Sequence, residues 1–100
     1  MATILTTTVF DHWLGGIAPV DAARIANRIQ RVARGNLGDA RLLGGGLSEM
    51  RFFFGPGYRV YFIKDGDTVV VLLCGGGKGS QQKDIVRAAA LAEQWKDQNS

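Results

Sequence analysis

The sequence predicts an α+β domain, with two N-terminal helices packed on a largely antiparallel four-stranded sheet and a C-terminal helix after it. Three observations carry that prediction. Apolar residues recur at helical spacing through residues 9–33. Period-two alternation then runs through residues 47–64, and an apolar run follows to Cys74. Helical spacing returns after Ser80. At 100 residues the chain is one domain, residues 1–100, with room for one real core.

Residues 3–8, β-branched except at Leu5, form the first expected strand. Val9, Phe10, Trp13 and Leu14 then fall on one helical face, ended by Gly15-Gly16. Pro19 and Asp21 open a second helix with the stripe Ile25, Ile29 and Val32, flanked by Ala22, Ala26 and Ala33. Its outer face carries Arg24, Asn27, Arg28 and Arg31, which read as solvated, and Arg34-Gly35 closes it in C-terminal order. Residues 36–46 read as a loop. Two strands follow, 47–54 and 58–64, joined by Gly55-Pro56-Gly57.

Parity decides that hairpin. A three-residue loop with Gly57 in the left-handed region places Met50, Phe52, Phe54, Val60 and Phe62 on one face. It gathers Glu49, Arg51, Arg59 and Tyr61 on the other. Asp65-Gly66 is a two-residue hairpin signal leading into a last strand, 67–74, apolar on both faces and so expected to be covered on both. One cover is the early helix pair. The other is the C-terminal helix, capped by Ser80 and carrying Ile85, Ala88, Ala89, Ala92 and Trp95. Gly44-Gly45-Gly46 and Gly75-Gly76-Gly77 read as flexible loops.

Composition narrows the function. Apolar residues make up 46% and charged residues 21%, a globular balance. No apolar run reaches the ~20 residues of a membrane span, and residues 1–8 lack the pattern of a signal peptide. One cysteine, Cys74, fits a reducing cytoplasm and permits no internal disulfide. One cysteine and one histidine, His12, form no metal-ligand cluster, so neither metal nor cofactor is expected. His12 reads as a surface residue, and the glycines before Lys78 lack phosphate-loop spacing.

The net charge of +3 points to nucleic acid or an acidic protein as partner. Placement says more. Arg51 and Arg59 lie on strands, and Lys78 and Lys83 lie where the last strand hands over to a helix. Cations gathered this way suit a phosphate backbone.

Three motifs, Glu49-Met50-Arg51, Gly55-Pro56-Gly57-Tyr58-Arg59-Val60-Tyr61 and Gly76-Gly77-Lys78-Gly79-Ser80-Gln81 with Asp84-Ile85, resemble the RelE/ParE superfamily of toxins. More narrowly they resemble its HigB-like addiction module killer branch, over nearly the whole chain. The resemblance implies a RelE-like fold and a cytoplasmic toxin neutralised by an antitoxin from the same operon. RelE-like and HigB-like members cut mRNA within the ribosome; ParE-like members poison DNA gyrase. Arg59 matches the arginine of the family's Gly-Tyr-Arg strand, Arg51 a basic position on the preceding strand, and Lys78 the lysine after the last strand. The chain departs from close relatives at Gly77, where they carry an aspartate, and in having no histidine or tyrosine after Lys78 as a terminal acid/base.

Cleavage by 2′-hydroxyl attack needs a base, an acid and positive charge on the phosphate. Glu49, the one carboxylate on the cationic face, is either that base or an ion-pair partner of Arg51 or Lys83. Tyr61 either serves the substrate, by a hydrogen bond or by stacking, or packs in the sheet. The catalytic candidates are thus Arg51, Arg59, Tyr61, Lys78 and Glu49, with Lys83, Arg51 and Arg59 for RNA. A toxin that binds a protein such as gyrase, or a member that only binds its antitoxin, is the alternative.

Overall fold

The computed structural model describes residues 2–36 and 38–99. In chain order it has β1 (Thr3–Thr6), α1 (Thr8–Gly16), α2 (Pro19–Ala33), β2 (Ala40–Gly44), β3 (Leu47–Arg51), β4 (Arg59–Asp65) and β5 (Val69–Gly76). A 3-10 turn (Lys78–Ser80) then leads into α3 (Gln81–Gln98). The strands form one sheet in the order β1-β5-β4-β3-β2. β1 runs parallel to β5, and the other neighbours are antiparallel.

Thr7 ends the first strand earlier than expected. Its hydroxyl accepts from the Phe10 N–H at 3.0 Å and donates to the Leu73 carbonyl at 2.5 Å, so it caps α1 and ties it to β5. Gly15 and Gly16 lie inside α1 rather than beyond it. α2 begins with Pro19 in its first turn and closes on Arg34, with Gly35 left-handed at φ 95°. The expected stripe Ile25, Ile29 and Val32 is buried.

The sheet has five strands, not four. β2 lies inside the segment 36–46 expected as a loop, of which Leu37 falls outside the described residues. Ala40 pairs with Met50 and Arg41 with Glu49. Gly45 and Gly46, at φ 59° and 83°, make the turn with both central residues at positive φ. As an edge strand with Leu42 exposed, β2 carries no clean alternation for a sequence to display.

The β3–β4 hairpin corrects a loop and keeps its faces. Arg51 pairs with Arg59, and the Phe52 N–H donates to the Tyr58 carbonyl at 2.9 Å. The loop therefore spans residues 53–57 instead of three. Sliding the register by two leaves parity unchanged, so each side chain keeps its face. Met50, Phe52, Val60 and Phe62 meet Phe10, Ile25 and the rest of the α1/α2 core. At the next hairpin Asp65 pairs with Val69, making a loop of residues 66–68 and starting β5 at Val69 rather than at 67.

β5 is covered on both faces, as its composition requires. Val70 and Leu72 face α1 and α2, while Val71, Leu73 and Cys74 face α3. Gly75 and Gly76 belong to the strand and are not a flexible loop. A β-carbon at Gly75 would strike the Trp13 ring, and one at Gly76 would strike the Asp84 carboxylate. On α3, Ala88 and Ala92 are buried while Ala89 points outward. Ser80 stands at the cap position, but its hydroxyl bonds the Asp84 carboxylate at 2.5 Å rather than a backbone N–H. Among the described residues no helix is long and apolar enough to cross a membrane.

Candidate functional site

Arg51 closes β3 and Arg59 opens β4, directly opposite one another. Two like charges in cross-strand register repel, so the pair persists only where each finds a counter-ion. Arg51 Nη2 reaches Asp39 Oδ1 at 3.0 Å. Arg59 Nη1 donates to Glu49 Oε1 at 3.0 Å, and Arg41 Nε pairs with the same oxygen at 3.1 Å. Glu49 is therefore clamped between two arginines, neither of them the partner expected for it. Arg41 is the cation that sequence reasoning missed. Its signal was present only as register, because residue 41 faces residue 49 once β2 is recognised as a strand.

Beside this network lies a concavity of about 290 Å³, lined by Phe53 and Gly55-Pro56-Gly57 of the loop with Arg51, Arg59 and Lys78. Lys78 arrives there because β5 ends at Gly76 and the 3-10 turn carries the chain across to Gly57. A β-carbon at Gly57 would lie 3.6 Å from that of Lys78, so the loop and the turn are in contact. The three expected catalytic cations thus converge on one surface, whereas Lys83, the fourth cation and expected to bind RNA, stands apart. It lies in the first turn of α3 and lines a separate groove that shares only Lys78 with the first.

Depth divides the remaining candidates. Tyr61 is 0% exposed, packed beneath α3 with Leu47 and Leu73. It has no free face on which a base could stack, which corrects that expected role. Burial, then the nearby Glu49 and Asp84 carboxylates, push its hydroxyl up to about 12. Cys74 is buried as expected, and burial followed by the Asp84 charge pushes its thiol up to about 11. Glu49 is also 0% exposed. A ribose hydroxyl reaches it only if Arg59 or Arg41 moves aside, so the geometry casts Glu49 as the anchor of Arg59 rather than as a base. Arg59 itself, with 14% of its side chain exposed, spans from that anchor to the concavity.

The arginines of α2 do more than dissolve a helix. The Arg28 guanidinium lies 5.1 Å from the Phe52 ring centroid and donates to the Arg51 carbonyl at 3.2 Å. Arg24 sits 5.0 Å from the Phe54 ring centroid. Both brace the hairpin from the face opposite the cationic pocket. His12 is exposed on α1.

No family model matches the chain. An uncharacterized protein of Haemophilus influenzae is 44% identical over 92 residues, covering 91% of this chain and 93% of that protein. A chain of the toxin–antitoxin complex RelBE2 from Mycobacterium tuberculosis superposes with a TM-score of 0.65, at 22% identity over 77% of this chain and 98% of its own length. At that identity the superposition speaks for the fold. The chain accordingly belongs to the family of the Haemophilus influenzae protein, and the architecture it shares with the RelBE2 chain is the RelE-like fold.

Proposed function

We propose that this protein is the toxin of a type II toxin–antitoxin pair, a HigB-like member of the RelE/ParE superfamily that cuts mRNA on the ribosome in the cytoplasm. The observation that carries the reading is the convergence of Arg51, Arg59 and Lys78 on one exposed concavity of a RelE-like fold. The neighbour of that fold was crystallised as a toxin–antitoxin complex, which supports an antitoxin encoded in the same operon as the partner here. In the proposed reaction the ribose 2′-hydroxyl attacks the adjacent phosphorus, its proton passing to solvent in the open concavity, and the 5′-oxygen leaves. Negative charge builds on the non-bridging oxygens, where the Arg59 and Arg51 guanidinium forks stabilise it. Lys78, exposed at the mouth, protonates the departing oxygen.

One observation favours a second reading. Among the described residues, the side chains lining the concavity include no carboxylate and no imidazole, and the Tyr58 hydroxyl is already bonded to Asp21 at 2.8 Å. A pocket that binds anions without accepting a proton suits a toxin acting on a protein such as gyrase, or a member that only binds its antitoxin. Primer extension on mRNA after brief induction separates the two. Discrete cuts within translated regions support the nuclease; intact mRNA with trapped or cleaved DNA supports the alternative. Co-expression with the neighbouring open reading frame should give a stable complex and restore growth. A monomer that still arrests growth beside that partner sinks the toxin–antitoxin reading itself.

A further inference from the structure

Among the described residues, Phe53 is the most exposed of the large apolar side chains. It is 82% exposed, although the residues on either side of it are held in place. Phe52 is buried, and Phe54 packs edge-on against Phe52 at 5.7 Å and Tyr58 at 5.9 Å. The Gly57 N–H donates to the Phe54 carbonyl at 3.1 Å, and left-handed Gly55 and Gly57, at φ 56° and 76°, set the turn. The loop is thus pinned from below while its central aromatic stands in solvent. An exposed phenyl forgoes the stabilisation that burying it would give, and nothing in the packing requires it to be there. Leu42, Val20 and Val86 are also exposed, but they are aliphatic and none of them lines the cationic concavity. Phe53 does, and the Arg51 guanidinium lies 5.7 Å from its centroid.

We infer that Phe53 is a stacking platform for a nucleobase of single-stranded RNA, placed so that the phosphate of the same nucleotide falls to Arg51 and Arg59. The inference rests on the RNA reading above and adds to it a binding residue that the cations alone do not supply. A π-face beside a cationic groove is the arrangement by which proteins hold single strands without reading their sequence. Arg51 is suited to the junction, because its charge is shared between Asp39 on one side and the aromatic on the other. Stacking tolerates any base, so the platform fixes where a strand sits rather than which sequence is bound.

The test uses the full chain and a short oligoribonucleotide carrying 2-aminopurine, whose fluorescence is quenched when it stacks, with anisotropy read on the same titration. The wild-type protein should quench the probe and bind it in a salt-dependent way. Phe53→Ala should abolish the quench and weaken binding about 5- to 100-fold, with an unchanged slope against salt, since no phosphate contact is lost. Phe53→Trp should restore the quench and Phe53→Leu should not, which separates a π-face from mere apolar area. Arg59→Ala should instead reduce the magnitude of the salt slope by about 0.7. Thermal melting of each variant checks that the hairpin is intact. Equal quench and affinity for Phe53→Ala overturn the inference while leaving the RNA reading in place. Unchanged RNA binding with loss of the complex formed by the neighbouring gene's product makes the ring a protein contact and also overturns it. If the wild-type protein binds no RNA, the RNA reading falls and takes the platform with it.

Discussion

The two faces of the β3–β4 hairpin are built from the same two strands and do opposite work. One face, Met50, Phe52, Val60 and Phe62, is closed against α1 and α2 by apolar packing, with the Arg28 guanidinium laid over Phe52 at its end. The other begins as core, where Tyr61 and Leu47 lie under α3, and becomes a cationic pocket within two residues. The first face can be stabilised by area. The second has to hold arginines next to a dry core, and it does so by pairing each one to a carboxylate. The lesson is that the pocket's cations are part of the scaffold's electrostatics. Arg59 is both the floor of the site and the counter-ion of a buried glutamate.

Removing area from the apolar face should have the largest effect on stability. Phe52→Ala deletes a buried ring and a support for Arg28, and should cost about 3–5 kcal/mol, read as a large fall in urea midpoint. A midpoint within error of wild type would break the assignment of faces.

Removing charge from the mixed face should affect activity first. If the proposed nuclease reading holds, Arg59→Ala removes one transition-state contact, worth about 2.7–4 kcal/mol by analogy with an oxyanion donor, and should abolish growth inhibition. Because it also strands Glu49, with only Arg41 left to pair it, Arg59→Ala should melt somewhat lower than wild type while still binding antitoxin. Arg24→Ala, on the far face, is the control and should leave toxicity unchanged. Full toxicity in Arg59→Ala would remove the cationic pocket from the mechanism.

Glu49 sharpens the division of roles. Glu49→Ala leaves Arg59 without its anchor in a nearly enclosed site and should cost about 3 kcal/mol, toward the low end for a broken buried pair because Arg41 is 55% exposed. Glu49→Gln keeps the shape and one hydrogen bond. It should retain part of both stability and toxicity if Glu49 orients Arg59, whereas a base replaced by an amide would lose toxicity completely.

The smallest effect separates Tyr61 from the site. Its buried hydroxyl makes no hydrogen bond, so Tyr61→Phe should be close to neutral in stability and in toxicity at neutral pH. At high pH the difference should show. The folded state holds the Tyr61 proton up to about 12, against 10.0 ordinarily, and the Cys74 proton up to about 11, against 9.0. The unfolded chain releases both protons first and so binds fewer in that range, which makes stability fall as pH rises from about 9 to about 12. Tyr61→Phe should flatten the upper part of that fall. An identical pH profile in the variant would place the hydroxyl in a wetter setting than the packing indicates.

Alternation by itself determined which hairpin residues share a face, because side-chain direction depends only on parity and every register of equal parity gives the same two sets. The same fact hid the loop. Phe54 opposite Tyr58 and Phe52 opposite Tyr58 differ by two positions, and the hydrophobic pattern is blind to that difference. Only the packed hairpin, with Phe54 folded over Tyr58, selects the longer turn and lifts Phe53 into solvent. The apolar run of β5 announced two covers, and its sequence sufficed for that, since a strand dry on both sides has to be apolar on both. The third glycine triplet residue aside, Gly75 and Gly76 looked mobile in sequence, yet tertiary contact decided otherwise, because Trp13 and Asp84 occupy the space a β-carbon would need. Arg51 and Arg59 were legible from their strand positions, and Lys78 from its place where the last strand hands over to a helix. Their charge pairings were not. Asp39 and Arg41 lie in and beside an edge strand without alternation, and the Glu49 clamp exists only once β2 is laid against β3. Residue type and parity are local properties, whereas charge pairing and burial depend on which distant segments the sheet brings into register.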